Sequence, residues 1–262
     1  MKIMLAALLT EILKIHRSKM FLASILFFIL VSAMMSFVMF VQTNPEISAK
    51  IGMIGDKAAL LRFGDPNWKN YFRLLIQGIA GVGLVGTGFV TSWIFGREFS
   101  DHTVKDILAI PVPRVYIVLS KIILTVLWSV ILCFIYLISG LAFGFLIGLP
   151  GFSAGILTDS VRIYWVTSFL LIVLCTPVAF LASYTRGYIF PIGFVILTMI
   201  LANFSGLVGL GPYFPWAVPG LYGIPSGAEN MQLTTGSYII LICTCLTGLI
   251  ATIAFWRYAD QK

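Results

Sequence analysis

The chain is short of charge, and shortest of it where it is most apolar. Charged residues make up 10% of its 262 residues, hydrophobic residues 60%, and mean hydropathy is +1.02. A soluble domain carries about 25% charged residues. Length alone would allow one or two such domains, but no segment reads as one. About six apolar runs are long enough to cross a bilayer, and Asp, Glu, Lys, Arg and His are almost missing inside them. Ionisable side chains at mid-depth are costly and are kept for function. Their scarcity argues against ion-coupled pumping and intramembrane catalysis, though not against facilitated diffusion. Only two histidines exist, His16 and His102, both read on the same membrane side. No catalytic cluster or metal site is expected. Cys133, Cys175, Cys243 and Cys245 all fall in apolar spans without ligand spacing, and read as small hydrophobes in helix packing. A GxxxxGK[ST] phosphate loop is also missing, so ATP, if it is the fuel, needs a separate chain.

The net charge of +7 and pI near 9.3 do not indicate nucleic acid. The basic residues flank apolar spans instead of clustering on a polar surface. Two motifs match only in form. GVGLVG at 81–86 lacks the preceding strand and later acid of a dinucleotide fingerprint, and reads as close helix packing. GFSAG at 151–155 lacks the strand–turn–helix setting and His partner of a hydrolase elbow, and reads as an external turn.

The chain reads as one all-α integral membrane domain over 1–262. Residues 3–18 form an amphipathic helix. Thr10, Glu11, Lys14 and Arg17 recur on one face and Leu5, Leu8, Leu9, Ile12 and Ile15 fill the other, as in a helix lying in the bilayer interface. Spans are expected at about 20–41, 71–95, 115–140, 162–183, 188–209 and 237–256. The first run is too long for a cleavable signal and should anchor the chain. Residues 42–70 read as an external loop. Residues 210–236, rich in Pro, Gly and aromatics, suggest short broken helices dipping into the outer leaflet. With both termini inside, eleven of the 17 Lys and Arg fall on the inner side and six on the outer. That excess places both ends in the cytoplasm.

The segment REFSDHTVKDILAIPVPR at 97–114 is the most informative. Ser100 or Asp101 can cap a helix, and Pro111 and Pro113 stop it, giving a short charged helix over 97–110 between spans two and three. Its tip mixes Glu98, Asp101, His102, Lys105 and Asp106 with Val104, Ile107 and Leu108. Apolar residues for burial and charges for register suit docking on a partner; an ordinary solvated loop fits the residues equally well.

Here the chain resembles the permease subunits of type-two ABC exporters. The pattern that carries the resemblance is an acid, a Thr, a Leu-containing turn, Pro, Arg and a later Lys: Glu98, Thr103, Leu108, Pro111, Arg114 and Lys121. His102 departs from it where many members are expected to have Gly. Size and the lack of a large external domain resemble the bacitracin- and lantibiotic-resistance permeases and related peptide exporters. The resemblance implies that 97–110 is the coupling helix, docking an ATPase through Glu98, Asp101, His102, Thr103, Val104, Lys105, Asp106, Leu108 and Arg114. It implies a dimer of permeases, identical or paired with a sister subunit, with two ATPase subunits carrying ATP and Mg, in a bacterial plasma membrane. Spans one, two and five would line the permease interface, where Ser36, Gln77, Thr87 and Asn203 could face the path of an amphipathic peptide, drug or lipid-linked substrate. Each of those four has an equally good role in helix–helix hydrogen bonding. The rival functions are a transporter or channel needing no ATPase and, further off, an intramembrane enzyme.

Overall fold

The computed structural model of the chain describes residues 2–16, 18–44, 64–104, 112–223 and 232–258. All the regular elements among them are helical. Helix α1 (Lys2–His16) is followed by α2 (Lys19–Thr43), α3 (Trp68–Gly78), a π-helical turn (Ile79–Gly83) and α4 (Leu84–Ser100). Then come α5 (Arg114–Ile147), α6 (Ala154–Val173), α7 (Cys175–Tyr184), α8 (Ile189–Leu207), α9 (Val218–Tyr222) and α10 (Thr235–Tyr258). Among the described residues, six stretches are long and apolar enough to cross a membrane: Lys19–Thr43, Trp68–Ser100, Arg114–Ile147, Ala154–Tyr184, Ile189–Leu207 and Thr235–Tyr258.

Several helices outrun the expected spans because caps, not hydropathy, set their ends. The Ser18 hydroxyl accepts from Met20 N–H at 3.1 Å, and Asn67 Oδ1 from Asn70 N–H at 2.9 Å. Gly148, at φ +73°, ends α5 in a left-handed cap that an L side chain resists. Ser153, the residue of the formal hydrolase elbow, is the N-cap of α6, accepting from Ile156 N–H at 3.3 Å. At 33 and 34 residues, the second and third spans are each about 50 Å long, against a hydrocarbon core of about 30 Å. They therefore project well beyond the apolar layer.

The fourth span breaks at Leu174, between α6 and α7. Pro177 has no N–H for the carbonyl of Val173. Thr176 Oγ1 answers that carbonyl instead at 3.1 Å, and it also reaches the Cys245 carbonyl on α10 at 2.8 Å.

Aromatics lock α3 in place. Trp68, Tyr71 and Phe72 are buried, and Trp68 meets Phe145 and Phe152 with ring centroids 4.8 and 5.1 Å apart. The Tyr71 hydroxyl donates to the Gly140 carbonyl at 2.6 Å and lies 2.6 Å from Ser36 Oγ. Tyr136 OH donates to the Leu75 carbonyl at 3.1 Å. Helix α4 is smoother, with Gly86, Gly88 and Gly96 facing its neighbours. A Cβ on Gly96 would stand 2.6 Å from the Gly187 carbonyl carbon, so only Gly lets α4 meet the turn between spans four and five. After α8, two short 3₁₀ turns, Gly211–Tyr213 and Pro215–Ala217, lead into α9. Pro212, Pro215, Ala217, Val218 and Pro219 are buried there, while Tyr213 is exposed.

Candidate functional site

Two features stand out along the second span, one near its end at Glu98 and one at the π-turn in its middle. The first is a buried group of four charges. Glu98, near the end of α4, has Oε1 2.8 Å from Lys121 Nζ and 3.0 Å from Lys14 Nζ. Glu11 on α1 completes it: Oε1 lies 2.7 Å from Lys14 and Oε2 3.3 Å from Lys121. Lys121 Nζ also donates to the Ile94 carbonyl at 3.2 Å. Two acids and two bases cancel, which is how a membrane protein tolerates buried charge. Lys121 is fully buried and Glu98 nearly so; among the described residues the second oxygen of Glu98 has no hydrogen-bond partner. Lys121 stands seven residues into α5, about 10 Å from its start, and so near the edge of the apolar layer. Burial works against an ionised Glu11, but Lys121 and Lys14 outweigh it and hold the carboxyl below its ordinary value. Burial likewise opposes a charged Lys14, and Glu98 and Glu11 overcome it, raising the ammonium above its ordinary value.

This cluster ties α1 to the roots of the 101–113 segment on both sides. Helix α1 turns Glu11 and Ile15 inward and leaves Leu9, Ile12 and Leu13 exposed. Ile15 is therefore corrected to the buried side, since i,i+4 spacing from Glu11 puts it there.

The helix expected over 97–110 has Ser100 or Asp101 as its cap and Glu98 among the residues of its docking tip. Both points are corrected. Helix α4 runs through Ser100 and ends in a Schellman motif. Thr103 N–H donates to the Glu98 carbonyl at 3.0 Å and His102 N–H to the Phe99 carbonyl at 3.3 Å. His102, at φ +57°, occupies the left-handed position that favours Gly, which accounts physically for the residue expected there. Asp101, His102 and Thr103 are exposed and Val104 is buried. Asp101 lies 3.9 Å from Arg97. Lys105, Asp106 and Leu108 fall outside the described residues. Arg114 donates to the Trp256 carbonyl at 3.4 Å. The Trp256 ring meets Phe99 at 5.6 Å, and its Nε1 donates to Ser183 at 2.9 Å.

The second feature is an open cleft of about 320 Å³ between the π-turn, α8 and the short helices that follow it. Gln77 and Asn203 stand in its walls, with Ala80, Gly81, Leu84 and Trp216. The lining is apolar apart from the two amides and the indole. The Trp216 Nε1 donor is buried with no partner among the described residues; Asn203 Nδ2 donates to the Met199 carbonyl at 2.8 Å. Of the four residues read on a substrate path, the structure thus brings Gln77 and Asn203 together. Ser36 is engaged with Tyr71 and the Ser32 carbonyl. Thr87 donates within its own helix to Gly83 and Leu84.

Sequence reasoning misses Glu11, Lys14, Lys121 and Trp216 as site residues. Glu11 and Lys14 at i,i+3 and a lone Lys inside an apolar run were the available signals for the cluster; nothing in the sequence marked the π-turn. A family model described as ABC-2 family transporter protein matches residues 7–205. A bacitracin transport permease protein of Bacillus licheniformis is 30% identical over 199 residues, covering 76% of this chain and 91% of that protein. No solved structure matches.

Proposed function

The chain belongs to the ABC-2 family of transporter proteins, as a multi-pass membrane subunit of an ABC transporter, and we propose that it exports amphipathic peptides using a separate ATPase. The observation that carries the peptide reading is the cleft. Its apolar walls suit the hydrophobic side of such a molecule, and the amides of Gln77 and Asn203 can each donate to and accept from a peptide backbone. Among the described residues its lining carries no charged side chain, and two amides beside apolar walls suit a peptide backbone better than a small ion. The relative's printed name supports bacitracin as the first substrate to try.

The coupling segment is the stretch between Asp101 and Pro113. Its two roots are bound to each other, Glu98 to Lys121, and to α1 through Glu11 and Lys14. A push from the ATPase on this segment then reaches α4, α5 and α1 as one body. From α4 it passes to the turn after α7, through the close approach of Gly96 to Gly187. Both termini lie in the cytoplasm in this reading, two permeases pair across spans one, two and five, and two ATPase subunits hold ATP and Mg. The Pro/Gly-rich helical turns after α8 re-enter the outer leaflet.

The test is co-purification with the ATPase encoded beside this chain's gene, together with bacitracin resistance in cells expressing both. Wild type should co-purify and protect. Asp106→Arg should lose the ATPase, placing docking in the 101–113 segment. A folded ATPase that associates under no nucleotide condition would refute the ATP-driven reading. Bacitracin sensitivity unchanged by an intact complex would refute the substrate.

A further inference from the structure

The second span is built as two unlike halves around the π-turn, and the cleft opens at that turn. A π-turn contains one residue more than an α-helix needs at that place, and such turns recur at functional sites. If the extra residue moves along the helix, only the residues it passes are re-faced, each by about 100°. Both flanks keep their contacts. A shift toward Ser100 brings each passed residue into the place its successor held.

The surroundings limit this shift on both sides. A shift the other way would put Ile79 into the place of Gly78, where a Cβ meets the Tyr136 hydroxyl. That hydroxyl is itself fixed to the Leu75 carbonyl. A long shift toward Ser100 would put Val85 into the place of Gly86, where a Cβ stands 2.6 Å from Phe28 Cε2. Between these stops only a short shift is open, one that re-faces Gly83 and Leu84. Leu84 is part of the cleft lining, whereas a Cβ on Gly83 would meet the Ile79 side chain, nearest at its Cδ1 tip, 2.6 Å away.

We propose that Ile79–Gly83 is the gate of the cleft. With the π-turn where it stands, Leu84 narrows the cleft. A short shift toward Ser100 replaces Leu84 in the wall with Gly83 and opens it, while Trp68, Tyr71 and Glu98 stay anchored. Gly83 and Leu84 are thus positioning residues for transport. The proposal rests on the export reading above but concerns a different step.

Deleting Val82 tests it. Removing one residue from the turn leaves a plain α-helix whose two flanks face as they do now. The variant is expected to insert and to bind the ATPase. Bacitracin transport into inverted vesicles should fall about tenfold or more, because the gate no longer moves. In a Cys243→Ser background, Gly83→Cys should react with a thiol reagent faster in one state than another. Labelling is compared with and without nucleotide and with and without bacitracin, in wild-type and deleted turns. Wild-type transport by the deletion variant would overturn the gate, as would labelling that is constant across all four conditions. If the deleted chain does not insert, the labelling in the full-length chain decides. If wild type binds the ATPase and shows state-dependent labelling but moves no bacitracin, the substrate reading falls and the gate stands.

Discussion

Lys121 is the side chain whose loss should cost most. Lys121→Met leaves Glu11 and Glu98 short of a cation in a buried site, and breaking one side of such a pair costs about 3–5 kcal/mol. The unfolding midpoint in detergent should drop accordingly, and adding Glu98→Gln should restore part of it. Acid should act through Glu11. Its folded pKa lies below the ordinary 4.5, so its contribution is full above that value and is lost as pH falls through the folded pKa. Lys14 is raised above 10.5, so its contribution is full below that value and fades as pH climbs through the raised one. The stability gap between wild type and Glu11→Gln should therefore be flat from roughly pH 5 to 10 and close in stronger acid. His102→Gly should raise stability or leave it unchanged, since a left-handed non-Gly residue costs about 1–2 kcal/mol. A fall in the midpoint would mean the His side chain has a contact of its own. At this scale the sequence was partly legible. Glu98 and Lys121 stood in the quoted pattern, but nothing local showed that 84 residues separate the Lys14–Glu98 pair. Only packing reveals such a partner.

At the level of elements, each of the six expected apolar runs falls on a helix long and apolar enough to cross a membrane, because hydropathy is an averaged signal that survives local detail. It misplaced ends, because ends depend on single hydrogen bonds such as that of Asn67 and on the left-handed Gly148. It could not show the π-turn, since one surplus residue changes no composition. The amphipathic pattern of α1 placed Glu11 and Lys14 on one face, though which face would meet protein depended on Glu98 and Lys121 far along the chain. The smoothness of α4 is itself testable. Gly96→Val should drive a side chain into the Gly187 backbone and cost about 1–3 kcal/mol. It should loosen the turn after α7, seen as faster proteolysis between Tyr184 and Tyr188. Unchanged proteolysis and stability would show that α4 and the turn do not bear on each other.

The molecule as a whole is unevenly covered. Only 17% of the apolar window of the fifth span is buried, against 72% for the second. Leu197, Leu201, Phe204 and Val208 are all exposed on the fifth span, at the i, i+4, i+7 and i+11 spacing of one helix face. If identical copies pair there, Leu201→Cys in a Cys243→Ser background should give a disulfide-linked dimer in oxidised membranes, while a cysteine at Ile138 on α5 should not. The four-charge cluster also bears on how the chain is made. During synthesis α1 emerges first, then Glu98, and Lys121 last. Until Lys121 arrives, the two acids have only Lys14 between them, and the group carries one uncompensated negative charge. Assembly of the inner half is thus checked by its own electroneutrality. A chain carrying Lys121→Met, left with two acids and one base, should be inserted and then cleared by the cell's membrane proteases, even though all six spans are intact.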